Sequence, residues 1–171
     1  MTEPAPTPPA TRPPATDPPV TEGIVYAYAD LLEEIRFNAS WRADRVAAGV
    51  LVGRLFQHPA TQIHYVLLEG FISGTHVDDL AEFVRYLGTQ WKAAQAAQRY
   101  HFPEAQIVGW YAAFPDDGPE PDQQAQMVHH TFFGQPWQIG LWLTGQAQMK
   151  TLVPNEAGFA DFPVGVIPTS E

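Results

Sequence analysis

The chain has 171 residues, 19 of them acidic and 9 basic, a formal charge of −10, and no cysteine. That length suits one domain with a tail. The charge argues against phosphate-backbone binding, which rests on clustered Lys and Arg, so no nucleic acid is expected as a partner. Without cysteine there are no disulfides, thiolate metal sites or thiol nucleophiles.

Residues 1–23 contain eight prolines and a single large β-branched residue, Val20. Such a stretch buries too little apolar surface to offset its ordering entropy, so it is expected to be a disordered or polyproline-like arm, with the folded domain at 24–171. Its only base is Arg12 and it lacks an apolar run of secretory type. No export signal is therefore expected, no membrane span is expected anywhere, and the cytoplasm is the expected compartment.

From Tyr28 to about Arg45, Leu31, Leu32, Ile35, Phe37 and Trp41 alternate with charged residues at a spacing that predicts one or two helical stretches. Val46 to Phe56 and Ile63 to Ile72 are rich in Val, Leu and Ile, and the His58-Pro59-Ala60-Thr61 turn signal between them predicts a hairpin. Thr75-His76-Val77-Asp78 reads as a helix start. Leu80, Phe83, Val84, Leu87, Trp91 and Ala94 then mark a long amphipathic helix ending before Pro103. A strand is predicted over Ile107 to Tyr111, with Val108 and Trp110 sharing one face. The stretch from Asp116 to Asp122 is a wet acidic loop. A short helix over Gln123 to Phe132 follows, then strands over Trp137 to Leu143, Gln146 to Val153 and Phe162 to Ile167. The fold class is α/β or α+β, a mixed sheet flanked by helices.

The chemistry-bearing residues are sparse. His129 and His130 are adjacent, and neighbouring helical side chains point about 100° apart, so they do not chelate one metal from a single face. His58, His64, His76 and His101 have no second ligand at a recognisable spacing. Asp116, Asp117, Glu120 and Asp122 lack the spacing of a calcium loop. They read as solvated carboxylates, or as an acidic lip that attracts a basic partner. No serine sits in a Gly-x-Ser-x-Gly turn. Trp142 alternates with Leu141 and Leu143 and is expected to face outward, where an aromatic ring anchors interfaces.

Gly109-Trp110-Tyr111-Ala112-Ala113-Phe114-Pro115 resembles the metal-binding loop of the JAMM/MPN metallopeptidases, whose catalytic members read Gly-Trp-Tyr-His-Ser-His-Pro within an H-x-H-x7-S-x2-D pattern. In that register the two histidines fall on Ala112 and Phe114, the serine on Asp122 and the aspartate on Ala125. The family's general-base glutamate precedes a Gly-x-Leu-x-Gly strand; here Gly49-Val50-Leu51-Val52-Gly53 is preceded at that place by Val46. The resemblance extends from about Tyr28 to about Pro168 and includes the segment from Val128 to Leu141, which is similar to the helix and strand after the metal loop in bacterial members. It implies an MPN/JAB-like fold whose catalytic positions Val46, Ala112, Phe114, Asp122 and Ala125 are degenerate, with no catalytic residue, metal or cofactor. The expected role is then a scaffold or protein-interaction subunit partnered by another MPN domain or by a second copy. Alternatives are a peptidase with a relocated site, or a binder of extended peptides or ubiquitin-like tails that uses the old groove through strand addition.

Overall fold

The computed structural model describes residues 25–42, 44–57, 64–115, 120–135, 137–144, 148–155, 158–162 and 164–168. The expected arm at 1–23 lies outside them. The elements run β1 (Val25–Tyr28), α1 (Ala29–Ala39), β2 (Val46–Gln57), β3 (His64–Val77), α2 (Leu80–His101), β4 (Gln106–Ala113), α3 (Gln123–Phe132), β5 (Ile139–Leu143), β6 (Met149–Asn155), β7 (Gly158–Phe162) and β8 (Gly165–Ile167). The strands form one mixed sheet in the order β7-β6-β5-β4-β2-β3-β1-β8. The mixed α/β class expected from the sequence is what the chain adopts. No helix among the described residues is long and apolar enough to cross a membrane.

The sheet has a core on each face because its strands alternate. Along β2, Val46, Ala48, Val50 and Val52 enter one core with Leu80, Phe83 and Leu87 of α2 and Ala125 and Val128 of α3. Ala47 and Leu51 enter the other with Leu31, Leu32 and Ile35 of α1. Burial on both faces removes the polar alternation that normally betrays a half-exposed strand. Each fully buried large aliphatic or aromatic side chain contributes about 1.5–3 kcal/mol.

Several elements depart from the sequence reading. Val25–Tyr28 is a strand, paired in parallel with both β3 and β8. α1 then starts at once from Tyr28, which offers no side-chain cap, so no start signal separates the two elements. β3 continues through Thr75 to Val77, and the true helix start is Asp79: its carboxylate accepts from Glu82 N at 2.9 Å while Glu82 Oε1 accepts from Asp78 N at 2.8 Å. That reciprocal pair satisfies two donors that the helix itself leaves open. His76 is therefore a strand residue, its Nε2 2.9 Å from Asn38 O. The expected last strand over Phe162 to Ile167 is β8 at Gly165–Ile167, paired with β1, while Phe162 closes an additional strand, β7, paired with β6 on the opposite edge of the sheet. The hairpin holds, Gln57 pairing with His64, although the turn residues 58–63 lie outside the described residues.

β4 corrects one further expectation. Leu51 pairs with Gly109 and Val52 with Ile107, which leaves Val108 as an extra residue. A bulge of this kind resets the alternation. Val108 consequently faces the α1 core and Trp110 the α2/α3 core, on opposite faces rather than one.

Candidate functional site

Beyond the bulge, β4 delivers Trp110, Ala112 and then Phe114 to the α2/α3 face. The antiparallel register places Ala48 opposite Ala112 and Ala47 opposite Ala113, which brings Val46 level with Phe114. α3 enters from the other side with Ala125 in its first turn. Val46, Ala112, Phe114 and Ala125, widely separated in sequence, thus belong to a single buried cluster that also contains Trp142. Phe114 N donates to Leu143 O at 2.9 Å, which fixes the end of β4 against β5. The Phe114 and Trp142 ring centroids are 4.7 Å apart with planes at 44°, and Trp142 meets Trp110 edge to face at 6.3 Å.

A hydrolytic zinc site takes three lone-pair donors and a position open to water. Methyl, isopropyl and phenyl groups donate nothing, and the rings leave this place filled. The fifth position, Asp122, caps α3: one carboxylate oxygen accepts from Gln124 N at 3.0 Å and Ala125 N at 3.2 Å. Among the described residues no group of three or more His, Asp or Glu side chains is arranged to hold a metal ion. The residues here do not fit the zinc ion that catalytic members of the resembled family hold.

The polar feature of the pocket is His129. It is 2% exposed, on the inner face of α3, and its Nδ1 accepts from Trp110 Nε1 at 3.1 Å. That bond puts the neutral ring's proton on Nε2, which is buried and has no hydrogen-bond partner among the described residues. Phe133 and Phe159 surround the ring at 6.3 and 5.9 Å. Burial, and then the neighbouring His130, push its pKa down from 6.5 to about 4. Since folding favours the neutral ring, its contribution is complete above pH 6.5 and is lost as pH falls from there towards 4. Across that window the loss reaches up to about 3 kcal/mol. Urea unfolding of wild type and His129→Gln between pH 7 and pH 4 checks this: the wild type should lose more stability than the variant, and parallel curves would refute the assignment.

No protein-family model matches the chain. No curated protein matches it either. Among solved structures the chain is similar to protein DSY2949 from Desulfitobacterium hafniense, determined in solution, with a TM-score of 0.59 and 13% identity over 86% of this chain and 95% of that one. At that identity the likeness shows a shared fold alone.

The remaining sequence-predicted residues do not converge on a second site. Asp116 and Asp117 lie outside the described residues. Glu120 is exposed and pairs with Lys150 at 3.2 Å. Trp142 is corrected outright: it is 2% exposed, because α2 and α3 cover the face that alternation with Leu141 and Leu143 assigns to it. His129 is buried and His130 exposed, as their angular separation requires. The Trp110–His129 bond was not legible in the sequence, since neither residue carries a spacing that announces the other.

Proposed function

We propose that this chain is a non-catalytic domain of the MPN type that works as a scaffold or protein-interaction subunit, partnered by another such domain or by a second copy of itself. The observation that carries the reading is the meeting of Val46, Ala112, Phe114 and Ala125 in one apolar cluster. Positions that the resemblance assigns to a base and to metal ligands share one buried cluster, and all four bear hydrocarbon. A fold keeps its core when its site chemistry is removed, because activity resides in the site and not in the architecture. Filling the pocket with Phe114 against Trp142 also frees folding from any need for a metal.

Metal analysis tests the reading. Purified wild-type protein should carry far less than one zinc per chain and keep its melting temperature in chelator. The full-length triple variant Ala112→His, Phe114→His, Ala125→Asp should instead gain a melting temperature that rises with added zinc, as preferential binding to the folded state requires. Tightly held stoichiometric zinc in the wild type, or chelator-sensitive peptidase activity, would overturn the proposal. A folded triple variant indifferent to zinc would reject the register on which it rests.

A further inference from the structure

An exposed pair of aromatic rings lies at the end of α1, on the opposite face of the sheet from the closed pocket. Phe37 and Trp41 are 63% and 67% exposed, one helical turn apart, and meet edge to face at 5.9 Å and 89°. Two rings at right angles present a notch rather than a flat plate. The helix end beneath them is held firmly: Arg36 donates to Thr144 O at 2.8 Å and Gln148 O at 3.2 Å, and Ser40 Oγ donates to Phe37 O at 2.7 Å. Glu33 and Glu34 are exposed one turn before Phe37, so the outer stripe of α1 runs from carboxylates to aromatic rings.

An acid beside an aromatic notch is chemistry that suits a cationic, proline-rich strand. Polyproline II segments dock on aromatic grooves at little conformational cost because the ligand is already extended. This chain carries a cationic, proline-rich sequence of that kind. Thr11-Arg12-Pro13-Pro14-Ala15 contains the only base among residues 1–23, directly before two prolines. Residues 15–24 separate Pro14 from Val25, where β1 begins one short strand before α1. Ten residues in polyproline II span about 31 Å, whereas the eleven residues of α1 measure only about 17 Å. The tether is therefore long enough to run the length of α1, and a link of about ten residues keeps the effective concentration of the prolines at the rings high.

We propose that the Phe37–Trp41 notch is the docking site of the chain's own Arg12-Pro13-Pro14 segment, with the prolines against the two rings and the Arg12 guanidinium facing Glu33 and Glu34. This places the arm along α1, on the opposite face of the sheet from the filled pocket, and does not depend on the proposed function.

The test is nuclear magnetic resonance on the full-length protein, reading the Trp41 indole N–H signal, assigned by its loss in Trp41→Phe. Expected are cross-relaxation contacts between the Pro13 or Pro14 ring protons and the Trp41 ring. They should vanish in the full-length Arg12→Ala, Pro13→Ala, Pro14→Ala variant, with a shift of the indole signal. Glu33→Lys with Glu34→Lys should shift the signal the same way, and dilution of the wild type by about tenfold should leave it in place, as intramolecular docking requires. An indole signal unmoved by the proline variant, or proline contacts at other rings, overturns the proposal. A signal that moves on dilution also overturns it, by assigning the notch to the arm of a second copy.

Discussion

Gly109→Ala is expected to destabilise the protein by more than about 4 kcal/mol, the range reserved for a change that the backbone has no means to accommodate. A Cβ at this position would stand 1.9 Å from Ile139 O and 2.9 Å from Ile139 C. Both atoms are main chain, in the parallel β4–β5 ladder where Gly109 pairs with Ile139, so no rotamer change relieves the overlap. Spreading the two strands breaks ladder bonds. Sliding β4 by one residue moves Trp110 and Ala112 to the wrong face, because the side-chain period of a strand is two. The residue also follows the bulged Val108 and carries φ +159°, where β-carbons are poorly accepted. The glycine of the Gly-Trp-Tyr motif is thus required by the sheet whatever becomes of the metal ligands after it. Chemical denaturation read by circular dichroism checks the value, and a loss below about 1 kcal/mol would mean that the β4–β5 register is wrong.

Trp142→Ala is expected to cost about 3–5 kcal/mol, the usual result of emptying a large aromatic site in a core. The ring is wedged between Trp110 and Phe114 and covered by helices, so the surroundings collapse only in part. For a domain of this size such a loss lowers the melting temperature by about 10 °C. Trp41→Ala supplies the contrast, since that ring is 67% exposed and its removal should cost within about 0.5 kcal/mol. If the two variants melted together, the burial of Trp142 would be refuted. The same comparison bears on the proposed function, because an outward Trp142 would offer a partner an anchor at the pocket and a buried one does not.

What the sequence disclosed follows from how each element meets solvent. α2 was legible because Leu80, Phe83, Leu87, Trp91 and Ala94 face the core while Arg85, Gly88 and Lys92 face water, so its period survives in the residue types. α3 was legible in its extent, and the structure keeps both of its expected bounds, Gln123 and Phe132. β1 was hidden because all four of its residues are buried, Val25 and Ala27 on one side of the sheet, Tyr26 and Tyr28 on the other. A strand with no wet face has no alternation to read. β7 was missed but for Phe162, and its separation from β8 was hidden, because local pattern carries no information about which distant strand a short segment joins. Trp142 was misjudged for a related reason: alternation reveals that two faces differ, not that one of them is exposed.

At the candidate site, the sequence named Val46, Ala112, Phe114 and Ala125 through the resemblance, and the fold brings them into one cluster. It did not disclose that Asp122, read as part of the acidic loop, is committed to the helix cap, nor that Trp110 donates to His129. The cap is local, to amides two and three residues on, whereas the Trp110–His129 bond joins residues 19 apart and depends on how α3 packs on β4, which no spacing along the chain encodes.

Neighbouring residues of β2 and β4 answer to different cores, so the sheet acts as a partition between two compartments. A packing defect on one side is felt on the other only through the strand backbone, and energetic changes on the two sides should sum independently. Such insulation lets a lineage rework one compartment while the other stays under separate selection. The hydrocarbon-filled end of β4 and the aromatic end of α1 are then free to have distinct histories within one small domain.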